Sequence, residues 1–191
     1  MPRTASGPDA RQRIDIRQIV FGHEPISFSV FRQTKTKLGR DGARISRVNT
    51  YDISTDPGRL QPDAIHAYLT RSYWSPGIPK EVVARGIANS MCFGIYQGES
   101  QVGFARVVTD KASFAYLADV YVLEEHRGQG LSKRLVGEIL AHPELQGLRR
   151  VLLATADAHG LYAQFGFKAL AAPDRMMEVR IPPAWLQVPA G

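Results

Sequence analysis

A mixed α/β fold, built on a mostly antiparallel sheet with helices on both faces, is the class this sequence predicts, and three observations predict it. Two apolar segments, "MCFGIYQ" (91–97) and "QVGFARVVTD" (101–110), flank "GES" in the manner of an antiparallel hairpin. A long apolar run, "SFAYLADVYVL" (113–123), breaks at "EEHRGQG" and resumes with helical spacing, giving a central strand–turn–helix. Strand and helix signals then alternate, as expected where helices cover both sides of a sheet.

The elements follow in order from about residue 49. "YDIST" (51–55) reads as a short strand, and Ile65, Tyr68, Leu69 and Tyr73 keep helical spacing over 63–73. "WSPGIP" (74–79) must be a loop, after which Pro79 can open a helix with Val83 and Ile87 one turn apart on its inner face. The hairpin comes next, then the run 113–123. Its alternating positions are apolar on both sides, which predicts a central strand with both faces covered. The following helix puts Leu131, Leu135, Ile139 and Leu140 on one stripe and ends near "HP" at 142–143. "RRVLLAT" (149–155) reads as another strand. Asp157 can cap a helix over about 158–165 that stops at Gly166, and "FKAL" and "RMMEVRI" read as two closing strands.

Composition narrows the function classes. The chain has 191 residues, 44% of them apolar, enough for one compact domain with a real core. No apolar stretch reaches the roughly 18 residues of a membrane span, and the first residues lack the apolar segment of a secretory signal, so the expectation is a cytoplasmic protein without membrane contact. Cys92 is the only cysteine, which excludes an intrachain disulfide framework and a cysteine-built zinc site; no metal is implied by spacing either. The net charge of +6 sits in residues 1–50, where ten Lys/Arg face four acidic residues. With regular strand and helix signals running from "YDIST" to "RMMEVRI", a basic extension (1–48), a domain (49–181) and a short tail (182–191) are expected. The extension lacks the interleaved aromatics that stack on bases, which argues against nucleic acid, although its "PISFSVF" could add a strand.

The break at 124–130 has a chemistry of its own. Between a strand and a helix, "RGQGLS" offers free backbone amides and the positive end of a helix dipole, an anion site. Gly128 and Gly130 permit close approach, and Arg127, Lys133 and Arg134 add charge. The spacing is neither that of a P-loop nor that of a dinucleotide fingerprint, and a glycine pair alone can be a plain turn.

"DVYVLEEHRGQGLSKRLV" resembles the cofactor motif of the GNAT N-acetyltransferase superfamily, whose signature is Arg or Gln, two residues, Gly, one residue, then Gly or Ala. Arg127, Gly130 and Ser132 occupy those positions here, the serine departing from the pattern. About 30 residues on, "AHGLYAQFGF" (158–167) resembles the second hallmark of the family. The resemblance covers residues 49 to about 181.

It implies acetyl-CoA as co-substrate, with the pantetheine arm on the main chain of Val120, Tyr121 and Val122. Arg127, Gly128, Gln129, Gly130, Leu131, Ser132 and Lys133 would wrap the pyrophosphate, and Thr155 stands where the family often has a cofactor-binding asparagine. Tyr162 matches the family's general acid, against the alternative of a buried core tyrosine. Asp119 lies in an apolar strand, where an unpaired carboxylate is costly to ionise; this would suit a proton relay, but a structural carboxylate bonded to Arg106 fits equally. Tyr73 and Trp74 fall where the family forms its acceptor floor, and Arg106 would shape the same pocket. Cys92 has no histidine tied to it and reads as core, His159 as an exposed first-turn residue, and His126 as facing solvent.

The expected function is therefore an N-acetyltransferase acting on a small-molecule amine by direct transfer. The alternatives are a protein acetyltransferase, or a non-catalytic acyl-CoA-binding regulator whose basic arm binds nucleic acid. Monomer and homodimer both stay open.

Overall fold

The structure is a computed structural model and describes residues 50–186. The basic extension, its "PISFSVF" segment and the last five residues lie outside the described residues. Five strands form one sheet in sequence order: β1 (Tyr51–Ser54), β2 (Met91–Gln97), β3 (Ser100–Thr109), β4 (Phe114–Val122) and β5 (Arg150–Leu152). The first four are antiparallel neighbours, because each is joined to the next by a turn or by helices that return to the same edge. β5 runs parallel to β4, since an α-helical crossover separates them.

Helices α1 (Pro62–Leu69) and α2 (Lys80–Ala88) cover one face. Their Ile65, Leu69 and Val83 pack with Cys92, Phe104 and Tyr121 from the sheet, and Tyr68 stacks on Tyr121 at a centroid distance of 3.8 Å. Helices α3 (Leu131–Ala141) and α4 (His159–Ala163) cover the other. On α3 the buried stripe is Leu131, Leu135, Val136 and Ile139; Leu140 is half-buried at its edge. Each such side chain contributes about 1.5–3 kcal/mol by leaving water, so this stripe holds the crossover in place.

The strands come close around Gly103. A Cβ there would lie 2.8 Å from Ile95 Cδ1 and 2.9 Å from the Tyr121 carbonyl oxygen, and the latter is backbone that cannot turn aside. Gly103→Ala is expected to destabilise the domain by about 1–3 kcal/mol, read as a fall of several degrees in melting temperature. An unchanged melting curve would show that β3 and β4 can part there without loss.

Several expected elements differ. Phe114 and Tyr116 are exposed, so the first half of β4 is covered on one face only; the apolar alternation overstated its burial. The strand expected over 149–155 pairs for three residues, then leaves the sheet. Asp157 does not cap α4, which has no side-chain cap; the Thr155 hydroxyl accepts from the Ala158 amide at 3.0 Å just ahead of the helix. Neither closing strand forms. Residues 167–181 hold only a 3-10 turn at Pro173–Arg175, and Met177, Val179 and Ile181 stand exposed. Their alternation suits a strand, but a strand needs an edge to pair with. This segment touches β5 by a side-chain contact, Arg150 Nη1 to Met176 Sδ at 3.6 Å.

Candidate active site

The site is built where β4 leaves its neighbours. The β3–β4 register slips between Phe104↔Tyr121 and Arg106↔Ala118, leaving an extra residue in β4, and Asp119 sits in the bulge with φ +55. Aspartate tolerates this left-handed backbone better than most residues, which accounts for its type in an apolar strand. On the other edge, pairing with β5 ends at Tyr116↔Leu152, so β4 runs on through Val120, Tyr121 and Val122 without a partner strand on that side.

The turn that follows is open. Gly128 and Gly130 have φ of +76 and +74, and a Cβ at either would meet nothing within 4 Å. Gly130 caps α3 without a side-chain hydrogen bond, so the first-turn amides of that helix, through Leu131, Ser132 and Lys133, are left uncapped by any side chain. The neighbouring side chains turn inward. Arg127 donates from Nε to the Val122 carbonyl and from Nη2 to Tyr68 Oη and Glu124 Oε1, fixing the end of β4. Gln129 Nε2 donates to Tyr51 Oη at 3.0 Å, and Arg134 binds the Tyr51 carbonyl and Glu138. His126, expected in solvent, is half-buried edge-on against Tyr51, whose hydroxyl lies 2.9 Å from its Nδ1.

Asp119 is paired on both carboxylate oxygens. Oδ2 accepts from Arg106 Nε in a short ion pair, and Oδ1 accepts from Trp74 Nε1 at 3.2 Å. Tyr73, next to Trp74 and edge-on to it at 4.9 Å, accepts from the Ala156 amide at 3.3 Å. Asp119 and Ala156 both lie past the last β4–β5 pair, so this one loop bridges the two diverging chains. Trp185 donates to the Pro76 carbonyl of the same loop at 3.3 Å.

Tyr162 is the buried residue of α4. Its ring is buried edge-on to Phe167 at 5.8 Å. Its hydroxyl has no hydrogen-bond partner among the described residues, yet the only fully enclosed unpartnered side-chain oxygen among them is that of Tyr96. The Tyr162 hydroxyl therefore reaches accessible space. Burial, and then the nearby Tyr73 and Asp157, push its pKa above the ordinary tyrosine range, so the phenol keeps its proton at neutral pH.

A cavity of about 460 Å³ opens from Asp119 and Arg106 along α2, with Leu69, Ile78, Val82 and Phe104 among its walls. Arg85, Gly86 and Ser90 line it too, and sequence reasoning missed them. The helical spacing of Val82, Gly86 and Asn89 beside the buried Val83 was the signal that could have found this face. Cys92 is buried, donates weakly to the Ile87 and Ser90 carbonyls, and has its thiol pushed up to about 11 by burial, which makes it a poor nucleophile. His159 is exposed. Among the described residues no three His, Cys, Asp or Glu side chains group as metal ligands, and no helix is long and apolar enough to cross a membrane.

With this geometry in view, comparison with known proteins is specific. The sequence pattern of the acetyltransferase (GNAT) family matches residues 58–167, more than half of the chain. A Gibberella zeae protein provisionally named an acetyltransferase is 36% identical over 155 residues, covering 69% of this chain and 86% of that protein. A crystal structure from Xanthomonas campestris pv. campestris, provisionally assigned to the same family, superposes with a TM-score of 0.70 at 47% identity, covering 72% of this chain and 98% of the other. A Clostridium acetobutylicum protein classed as an acetyltransferase and solved with acetyl-CoA shares the fold at a TM-score of 0.52 and 13% identity, over 69% and 95% of the two chains. The chain belongs to the GNAT acetyltransferase family, and it is an acyltransferase.

Proposed function

We propose that this acyltransferase moves an acetyl group from acetyl-CoA directly to a primary amine of a small molecule. The observation that carries the reading is the freed edge of β4 running into a glycine turn with empty space above both glycines. An extended amide-bearing arm matches the first, and a pyrophosphate matches the uncapped amides of the second. The main chain of Val120, Tyr121 and Val122 would hold the arm; the amides of Gly128 to Lys133, with the Lys133 ammonium, would hold the phosphates. Arg127 serves by fixing the turn through Val122 and Glu124, and Thr155 by holding the Ala158 amide ahead of α4. Acetyl-CoA supplies an activated thioester carbonyl, and transfer forms a C–N bond, breaks the C–S bond, takes one proton from the amine and gives one to sulfur. In this reading Asp119 accepts the amine proton at its carboxylate, and Tyr162 donates its phenolic proton toward the sulfur. Tyr73 and Trp74 form an aromatic wall for the acceptor beside Asp119.

Acetyl-CoA at about 100 times its dissociation constant is expected to stabilise the protein by roughly 2.7 kcal/mol, seen as a higher melting temperature. In Gly130→Ala the added Cβ enters the empty space and the left-handed backbone costs about 1–2 kcal/mol of stability. That variant should still fold and lose most of the shift. Absence of any shift in the wild type, with no binding by direct titration, would end the reading.

A further inference from the structure

The charge and shape of the cavity beside Asp119 narrow the acceptor, on the footing of the transfer proposed above. Three charged side chains line it: Arg85, Arg106 and Asp119. Asp119 is already neutralised by Arg106, so the cavity as a whole is cationic. Most of its other walls are apolar, including Leu69, Ile78, Val82 and Phe104.

The two arginines have capacity left. Arg106 donates Nε to Asp119 and reaches Ser90 Oγ only at 3.4 Å, while its guanidinium lies beside Gly86 of α2. Its Nη2 has no partner among the described residues. The Arg85 guanidinium, on the last turn of α2, has none either; its backbone carbonyl accepts from Asn89 Nδ2. A second ammonium on the acceptor, as in a polyamine, would meet these two cations. An anionic group would be met by them instead.

The adjacency of Arg106 and Asp119 adds geometry. Because the two side chains touch, groups that bind them must be carried close together on one molecule. An amine and a carboxylate on a single carbon satisfy that, and the substituent of that carbon is left against the apolar walls. We infer that the acceptor is an α-amino acid with an apolar side chain, its amine at Asp119, its carboxylate on Arg106 and Arg85, and its side chain along Leu69, Ile78 and Phe104.

The test uses the full chain with saturating acetyl-CoA and follows CoA release with leucine, leucinamide, isoamylamine and spermidine, which present the same or greater amine content with and without the carboxylate. Leucine is expected to exceed leucinamide and isoamylamine in kcat/KM by at least about tenfold, the scale of a charge-assisted hydrogen bond. Calorimetric titration into CoA-saturated protein should show the same order of affinity, independent of turnover. Arg85→Gln should weaken leucine binding and bring the acid-over-amide ratio close to one. Turnover of spermidine, isoamylamine or leucinamide at or above the rate of leucine would overturn the inference and leave the acetyltransferase reading standing. Binding of acetyl-CoA with no CoA release from leucine would overturn the inference as well.

Discussion

Tyr162→Phe is expected to lower kcat by roughly 10²-fold or more while leaving acetyl-CoA affinity and folding nearly unchanged. The structure makes this a clean substitution. The ring keeps its burial and its edge contact with Phe167, and the hydroxyl that is lost has no partner among the described residues, so nothing is left unsatisfied behind it. A fall in rate then reports the proton and not the packing. The raised phenol pKa adds a second readout. A group whose pKa lies above its ordinary value near 10 stays protonated to higher pH, so kcat of the wild type should still hold at about pH 10, where an ordinary phenol would be half ionised. Steady-state kinetics beside a melting curve decide it. Unchanged kcat in Tyr162→Phe would make the residue part of the core and nothing more.

The parts of this site that were legible in the sequence are those carried by short contiguous patterns. "EEHRGQGLSKRL" announces a strand-to-helix turn with amides free, and both glycines do take left-handed backbone there. The hairpin and the α3 stripe follow from local periodicity. What was not legible depends on partners far along the chain. Trp74 and Asp119 are 45 residues apart, and only the folded loop brings the indole to the carboxylate. The bulge at Asp119 arises from a register slip, which no pattern in β4 alone reveals. The closing strands fail for the same reason in reverse: residues 176–181 alternate correctly, but whether a strand forms is decided by an edge elsewhere. Arg127 reads as a phosphate ligand because it stands in the turn, whereas its guanidinium is engaged by Val122, Tyr68 and Glu124.

Asp119→Asn is the second substitution with a large expected effect, and its outcome depends on separating three jobs of one side chain. Asparagine tolerates the left-handed backbone at φ +55 as aspartate does, so the bulge should persist. It can still accept from Trp74 Nε1, so the loop over the opening should stay in place. What it loses is charge. Arg106, 27% exposed in its side chain, is then left facing a neutral amide, which costs about 1–3 kcal/mol and several degrees of melting temperature. If the carboxylate also takes the proton of the incoming amine, kcat/KM at neutral pH should fall by roughly 10²-fold. The deficit should shrink as pH rises toward the pKa of the amine itself, because solvent then supplies the free base that Asp119 otherwise provides. A purely structural carboxylate would give a deficit that is the same at every pH, tracking the loss of stability. The ratio of wild-type to variant kcat/KM measured between about pH 7 and 9.5, both below the melting temperature of the variant, distinguishes the two: a flat ratio removes Asp119 from the chemistry and leaves it holding Arg106 and Trp74 in place.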